Sequence, residues 1–334
     1  MKRLLVLVAM IFASVSVVCA DSHRPMKVIF DTDMGNDIDD ALALDMLYKY
    51  QQEGRVELLA VMLNKPMAES CEFIDIMNNY YGYPEIPIGR LDKGATVDAN
   101  PGFVRQAAAN KSYKRSYKEY TTLPRSLELY RKTLEAQPDK SVTIISVGFS
   151  TNLAALLGSE ADENSQLSGE DLLRRKVKNI YVMAGDFSST HKPEFNVRED
   201  IAAAQTFFAK APCRIVFSGF EVGRDIRYPA SSILGDFATE PNHPMVEAYK
   251  NYKKMPYDRS TWDLTAVLAA VEGESVGWFN FSDAGHVVVT KTGETYFIPC
   301  PQGNHHIMSV PDGGADMIVS HFVEIIGKTK MNKR

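Results

Sequence analysis

Short apolar runs and stretches of helical period alternate along most of the chain. Residues 27–30 form an apolar run that ends in acids. Over residues 39–53, Ala41, Leu42, Leu44, Leu47 and Tyr48 recur at helical spacing until Gly54 stops the pattern. Residues 56–63 read as the next strand, followed by a helix carrying Phe73, Ile74, Met77 and Tyr81. Runs at 143–147, 179–183 and 214–217 are of the buried-strand type, with helical pattern beside them at 153–157 and 201–209. This rhythm predicts the α/β class: an open, mostly parallel sheet with flanking helices and right-handed crossovers. Residues 287–290 and 295–298 flank a Gly-containing turn and predict a C-terminal β-hairpin. The polar stretches 91–125 and 158–172 read as loops or surface helices, and no repeat or low-complexity linker divides the chain.

The N-terminus follows a different pattern. Lys2 and Arg3 precede an apolar run over 4–18, and Val18, Cys19 and Ala20 offer small residues for cleavage. A run of that length is short for a membrane span and reads as a signal peptide, residues 1–20, cut after Ala20. The expectation is a secreted or periplasmic protein with a single domain over 21–334. Cys71, Cys213 and Cys300 remain; their odd number and wide spacing fit neither a zinc site nor a disulfide framework, so they read as buried structural thiols. With 334 residues, 45% hydrophobic and 24% charged, the composition excludes disorder, collagen and coiled coil. Lys plus Arg total 37 against 42 Asp plus Glu, a charge of -5 that argues against a nucleic-acid backbone as partner. A small nucleotide or nucleoside stays open.

Ligands of open parallel sheets bind beyond the carboxyl ends of the strands. The polar residues at those places are Asp31 and Asp33, then Asn64, then Ser150, Thr151 and Asn152, then Gly185 and Asp186. The first place is the most unusual: Asp31, Asp33, Asp37, Asp39 and Asp40 put five carboxylates within ten residues. A helix N-terminus tolerates acids, and a solvated acidic loop is one reading. Five packed into one turn repel one another, so a cation is the natural compensation, and all-oxygen ligation favours Ca²⁺ or Mg²⁺ over zinc.

An EF-hand loop counted from Asp31 would need an oxygen ligand at its fifth position, Gly at its sixth and Glu at its twelfth; Gly35, Asn36 and Leu42 stand there. A haloacid-dehalogenase-type Mg²⁺-dependent phosphatase would use Asp31 as nucleophile and Asp33 as acid/base. Its later Gly-Asp-x-x-x-Asp is broken, because Thr190 follows Gly185-Asp186 where the second Asp belongs. The chain more closely resembles the nucleoside hydrolases. Their opening Asp-x-Asp-x-Gly-x-Asp-Asp-Ala is matched by Asp31, Asp33, Gly35, Asp39, Asp40 and Ala41, with a two-residue insertion that adds Asp37. Asn64, the turn Gly148 to Thr151-Asn152, the signature Glu194-Phe195-Asn196 with Asp200, and Asp263 leading Ala266-Val267 follow in the family's order.

The resemblance implies Ca²⁺-dependent hydrolysis of the N-glycosidic bond of ribonucleosides. It implies that Asp33 both touches the metal and takes a proton from water, with Asp40, Asp263 and the Thr151 carbonyl as the other ligands and Asp31 orienting Asp33. Asp39, Asn64, Glu194 and Asn196 would hold the ribose. The plain alternatives are a polar surface loop for Glu194 and Asn196 and a helix N-cap for Thr151-Asn152. Where many members carry a His that protonates the leaving base, Trp262 stands; it either stacks on a purine or belongs to the core. His191 is a candidate acid or a loop residue, and Ser188 replaces a family Asn. Tyr249, Tyr252, Tyr257 and Arg259 form a flap or an amphipathic surface helix. No counterpart of a family His-Gly occurs around 95–102. The family implies a small nucleoside as partner and a homodimer or tetramer. A secreted nucleoside-binding protein with impaired catalysis is a further alternative.

Overall fold

Strand β1 (Met26–Thr32) sends Val28 and Phe30 into one apolar cluster and Ile29 into another, so both its faces are covered. The computed structural model describes residues 24–94 and 102–328; the expected leader at 1–20 lies outside them, as does the segment 95–101. The further strands are β2 (Val56–Leu63), β3 (Ile88–Gly89), β4 (Val142–Ser146), β5 (Val177–Met183), β6 (Arg214–Ser218), β7 (Arg227–Tyr228), β8 (Arg259–Ser260), β9 (Asn280–Phe281), β10 (Gly285–Val289), β11 (Thr295–Pro299) and β12 (His305–Ser309). The helices are α1 (Asp39–Gln52), α2 (Ala68–Tyr81), α3 (Gly102–Ala109), α4 (Ser126–Glu135), α5 (Thr151–Leu157), α6 (Gly169–Lys176), α7 (Phe195–Arg198), α8 (Ile201–Lys210), α9 (Phe220–Arg224), α10 (Ala230–Gly235), α11 (Pro244–Tyr252), α12 (Trp262–Glu272) and α13 (Gly314–Ile326).

One sheet runs in the order β11-β10-β12-β6-β5-β4-β1-β2-β3, with β9 added to β12, while β7 and β8 pair separately. The path from β12 to β3 is parallel throughout, while β9 and β10 pair antiparallel with β12, and β11 pairs antiparallel with β10. The expected hairpin is β10–β11; the parallel return of β12 beside β6 was not legible in the pattern. The chain steps outward from β1 to β2 and β3, then returns to β4 on the other flank of β1. That reversal opens a crevice at the carboxyl ends of β1 and β4, the usual ligand position in such sheets.

Three expectations change. Helix α1 is buried on every side from Asp39 to Tyr50, not along one stripe, because α12 and α13 pack on it opposite the sheet. Within 91–125, α3 buries Phe103, Val104, Ala107 and Ala108 between α2 and α11, so it is part of the core. Cys71 and Cys213 are buried, their thiols pushed up to about 12 by burial. Cys300 is half-buried instead, since it follows the sheet's edge strand β11 with Sγ toward Gln302 at 3.5 Å. No helix among the described residues is long and apolar enough to cross a membrane.

Candidate active site

The turn between β1 and α1 is built by its own side chains. Gly35 adopts a φ of +108°, and a Cβ there would come within 2.9 Å of Ser70 Oγ, so only glycine fits without strain. Ser70 Oγ in turn donates to the Met34 carbonyl at 2.5 Å. The Thr32 hydroxyl donates to the Asp40 carboxylate and accepts from the Met34 N–H at 3.0 Å. Asp39 and Asp40 therefore enter the first turn of α1, where the helix dipole favours negative charge. Asp263 occupies the first turn of α12, and its N–H donates to Asp39 Oδ2 at 3.2 Å.

Two helix N-termini thus aim at one point. Asp39, Asp40 and Asp263 are all buried, with one carboxylate oxygen of each within 4.8 Å of the others. Burial first, and then repulsion from neighbouring carboxylates, pushes all three well above the usual range. Three buried carboxylate oxygens that converge in this way make a donor set that fits a hard divalent ion.

Asp33 lines the same pocket. Burial pushes it up to about 6 against the opposing pull of the Lys65 ammonium. Its carboxylate accepts from the Asn36 amide, and Lys65 Nζ donates to Asn36 Oδ1 at 2.5 Å. Asp31 lies behind it, fully buried and outside the pocket lining. It accepts from Asn64 Nδ2 at 2.5 Å, the Tyr130 hydroxyl at 2.7 Å and Asn152 Nδ2 at 3.0 Å. Burial nonetheless pushes it up to about 7. Asn64 also sits in this inner layer, its Oδ1 buried without a protein partner. Gly148 closes the layer: a Cβ there would lie 2.6 Å from Asp33 N and from Asn64 Nδ2. Thr151 opens α5, with its hydroxyl donating to Asp200 Oδ2 at 2.5 Å. The N-cap of α5 is Ser150, and Asn152 reaches Asp31, so the simple capping reading of Thr151-Asn152 does not hold.

The cavity measures about 290 Å³, near the lower bound for small-molecule sites. Six carboxylates line it (Asp33, Asp37, Asp39, Asp40, Glu194 and Asp263) against one guanidinium, that of Arg259. Glu194 and Asn196 are buried in its wall and are not a surface loop. Glu194 caps α7, accepting from Asn196 N at 2.9 Å and Gly185 N at 3.1 Å. Burial outweighs those bonds and pushes it up to about 7. Asn196 Nδ2 donates to the carbonyls of Val147 at 2.9 Å and Met183 at 3.0 Å, joining the ends of β4 and β5.

The far wall is aromatic: Phe195, Phe220 and Trp262. Trp262 is half-buried; it lines the cavity and packs against the core cluster. Its ring packs on Phe220 at 5.4 Å and 24°, its Nε1 donates to the Phe220 carbonyl at 2.9 Å, and the Arg259 guanidinium lies 5.1 Å from its centroid. Arg259 also pairs with Asp37 through Nε at 2.8 Å and through Nη2. Tyr249 and Tyr257 stack at 4.5 Å and exchange hydroxyl-to-carbonyl bonds at 3.0 and 2.6 Å, which tie the segment before β8 back to α11. His191 is turned away. Its Nδ1 contacts the Thr295 carbonyl at 3.0 Å and its ring stacks on Tyr296. Ser188, bonded within the loop to Thr190, lies outside the lining as well.

Sequence reasoning missed Asn36, Lys65, Tyr130 and Phe220. The two-residue insertion was the available signal for Asn36. Nothing local marked Tyr130, which reaches Asp31 from 99 positions away.

A family model described as inosine-uridine preferring nucleoside hydrolase matches residues 28–299. No curated protein matches the chain. Among solved structures, a plant nucleoside hydrolase is similar at 18% identity and TM-score 0.70, covering 91% of this chain and 100% of that one. An inosine-guanosine nucleoside hydrolase is similar at 20% identity and TM-score 0.69, over 91% and 99% of the two chains. A purine-preferring ribonucleoside hydrolase from Gardnerella vaginalis reaches 17% identity and TM-score 0.68, over 90% and 98%. At these identities the structures speak for the fold, and the family model carries the assignment. The chain belongs to the inosine-uridine preferring nucleoside hydrolase family, enzymes that hydrolyse the N-glycosidic bond of nucleosides.

Proposed function

We propose that this protein is a Ca²⁺-dependent hydrolase of purine ribonucleosides that releases base and ribose. The observation that carries the reading is the convergence of Asp39, Asp40 and Asp263 within 4.8 Å, in a pocket that also holds Asp33 at one end and an aromatic wall at the other. Asp40 and Asp263 would hold the ion, with Asp33 and the Thr151 carbonyl completing the set the family resemblance implies. Asp39 is the third carboxylate by geometry. A calcium ion bound there supplies positive charge that offsets the acids and favours ionisation of a nearby water.

Asp33 is the base that takes the water's proton, and Asp31 with Asn64 fixes the strand end that carries it. Asp39, Glu194 and Asn196 Oδ1 accept from the ribose hydroxyls, with Asn64 behind them. The carboxylates of Asp39 and Glu194 also favour a sugar that turns positive in the transition state. Phe195, Phe220 and Trp262 supply the flat apolar surface that suits a purine. The leader expected at 1–20 would export the enzyme.

One observation disfavours the phosphatase reading. Asp31, its nucleophile, is fully buried with both oxygens occupied, Oδ1 by Asn64 and Oδ2 by Tyr130 and Asn152. The test is a reducing-sugar assay on a nucleoside panel with and without chelator, beside Asp33→Ala. The expected result is ribose release, greatest from purines, lost with chelator and in the variant. Nucleoside binding without ribose release would establish the binding-protein alternative, and full activity in Asp33→Ala would remove the proposed base.

A further inference from the structure

We infer that Arg259, held in place by Asp37, takes over from the missing histidine by hydrogen bonding to the departing base; the inference rests on the nucleosidase reading above. Arg259 is the cation that lines the cavity among the described residues, and it lies at the aromatic end, over Trp262 at 5.1 Å and Tyr252 at 5.3 Å. Its Nε and Nη2 are committed to Asp37. Its Nη1 makes no hydrogen bond to the described residues, and Arg259 lines the cavity, so its guanidinium keeps a donor for a ligand there.

The pairing with Asp37 solves a specific problem. An untethered guanidinium in a cavity lined by Asp33, Asp39, Asp40 and Asp263 would collapse onto those carboxylates and neutralise them. Asp37, which lines the cavity beside Asp39, supplies a two-point partner, and a fork-to-carboxylate pair fixes direction as well as distance. Asp37 is thus a positioning residue, contributed by the two-residue insertion in the opening motif. Ile38 N donates to Asp37 Oδ1 at 2.6 Å, which anchors the carboxylate in its own turn.

Arginine does not release its proton in this role. As the C1′–N bond breaks, its electron pair moves onto the base nitrogen while water oxygen bonds to C1′ and passes its proton to Asp33. The base leaves as an anion held by the Nη1 hydrogens and takes its proton from solvent afterwards.

The experiment compares inosine with p-nitrophenyl β-ribofuranoside, whose phenolate leaves without help. Arg259→Ala should lower kcat on inosine about 100-fold, the usual cost of losing one charge-stabilising donor. On the nitrophenyl riboside the loss should stay under about tenfold. Asp37→Asn should show the same selectivity at smaller size, falling in kcat more than rising in KM. Arg259→Gln, similar in bulk, replaces Arg259→Ala if the latter does not melt cooperatively. Equal losses on both substrates overturn the inference while leaving the nucleosidase reading intact. Wild-type protein inactive on both overturns the reading and the inference together.

Discussion

Removing divalent ions should destabilise this protein more at pH 8 than at pH 5.5. The sign follows from carboxylates whose folded state holds its proton more tightly than the unfolded chain does. Glu194 moves from an ordinary 4.5 to about 7 through burial. Its contribution is therefore neutral below pH 4.5, turns unfavourable as pH rises through that value, and reaches about 3 kcal/mol above pH 7. Asp39, Asp40 and Asp263 are raised in the same direction, so they add to the same trend. A cation gripped by Asp39, Asp40 and Asp263 offsets their share of it. At 100 times its dissociation constant it adds about 2.7 kcal/mol, which is about 5 °C in a chain of this size at roughly 2 °C per kcal/mol. The assay is differential scanning calorimetry at pH 5.5 and 8, in EDTA and in excess Ca²⁺, on wild type and Asp263→Asn. Wild type should gain about 5 °C from Ca²⁺ at pH 8 and less at pH 5.5. Asp263→Asn, with one buried charge fewer, should melt higher than wild type in EDTA and gain nothing from Ca²⁺. A wild-type melting point indifferent to Ca²⁺ at pH 8, or an equal gain in Asp263→Asn, refutes the shared ion site.

Gly148→Ala should cost about 1–3 kcal/mol by overpacking, because its Cβ would press on Asp33 N and Asn64; urea denaturation reads the loss, and an unchanged midpoint would contradict the close approach. His305 is pushed down to about 4 by burial, with Nδ1 accepting from Val287 N at 2.8 Å. The unfolded chain binds its proton first, so this residue's contribution is intact above pH 6.5 and is lost as pH falls toward 4; a histidine NMR titration should show one ring titrating near 4 that vanishes in His305→Gln, and a value near 6.5 would refute it.

The parts legible in the sequence are those fixed by local pattern. Val28, Ile29 and Phe30 announce a strand with both faces buried, and the five acids beyond it announce a site because their charge has no local answer. What the pattern did not show depends on long-range meetings. β12 joins β6 only after the β10–β11 excursion, and a five-residue stretch containing two histidines carries little strand signal. Trp262 and Arg259 were visible, yet Phe220 was not: it reaches the indole from α9, and with Arg259 it decides how much of the ring a ligand can meet. His191 has two readings in the sequence, a candidate acid and a loop residue; it sits in a loop at a positive φ of 41° with its ring stacked on Tyr296.

The placement of charge across the cavity follows the direction in which a glycosidic bond must break. At one end the first turns of α1 and α12 present Asp39, Asp40 and Asp263. Each helix dipole is worth about 0.3–1 kcal/mol to a carboxylate there, up to roughly 2 when partly buried, which is less than the several kcal/mol that burial of an ion costs. The shortfall leaves a field still seeking positive charge. A divalent ion answers part of it, and a sugar that becomes cationic in the transition state answers more, without any reorganisation at the moment of reaction. Arg259, held by Asp37, pulls Asp39 down only against the larger effect of burial, and it faces the base on which the negative charge accumulates. A nucleoside seated with its ribose on the carboxylates and its base beside Arg259 and the aromatic lining places the breaking bond between the two charges.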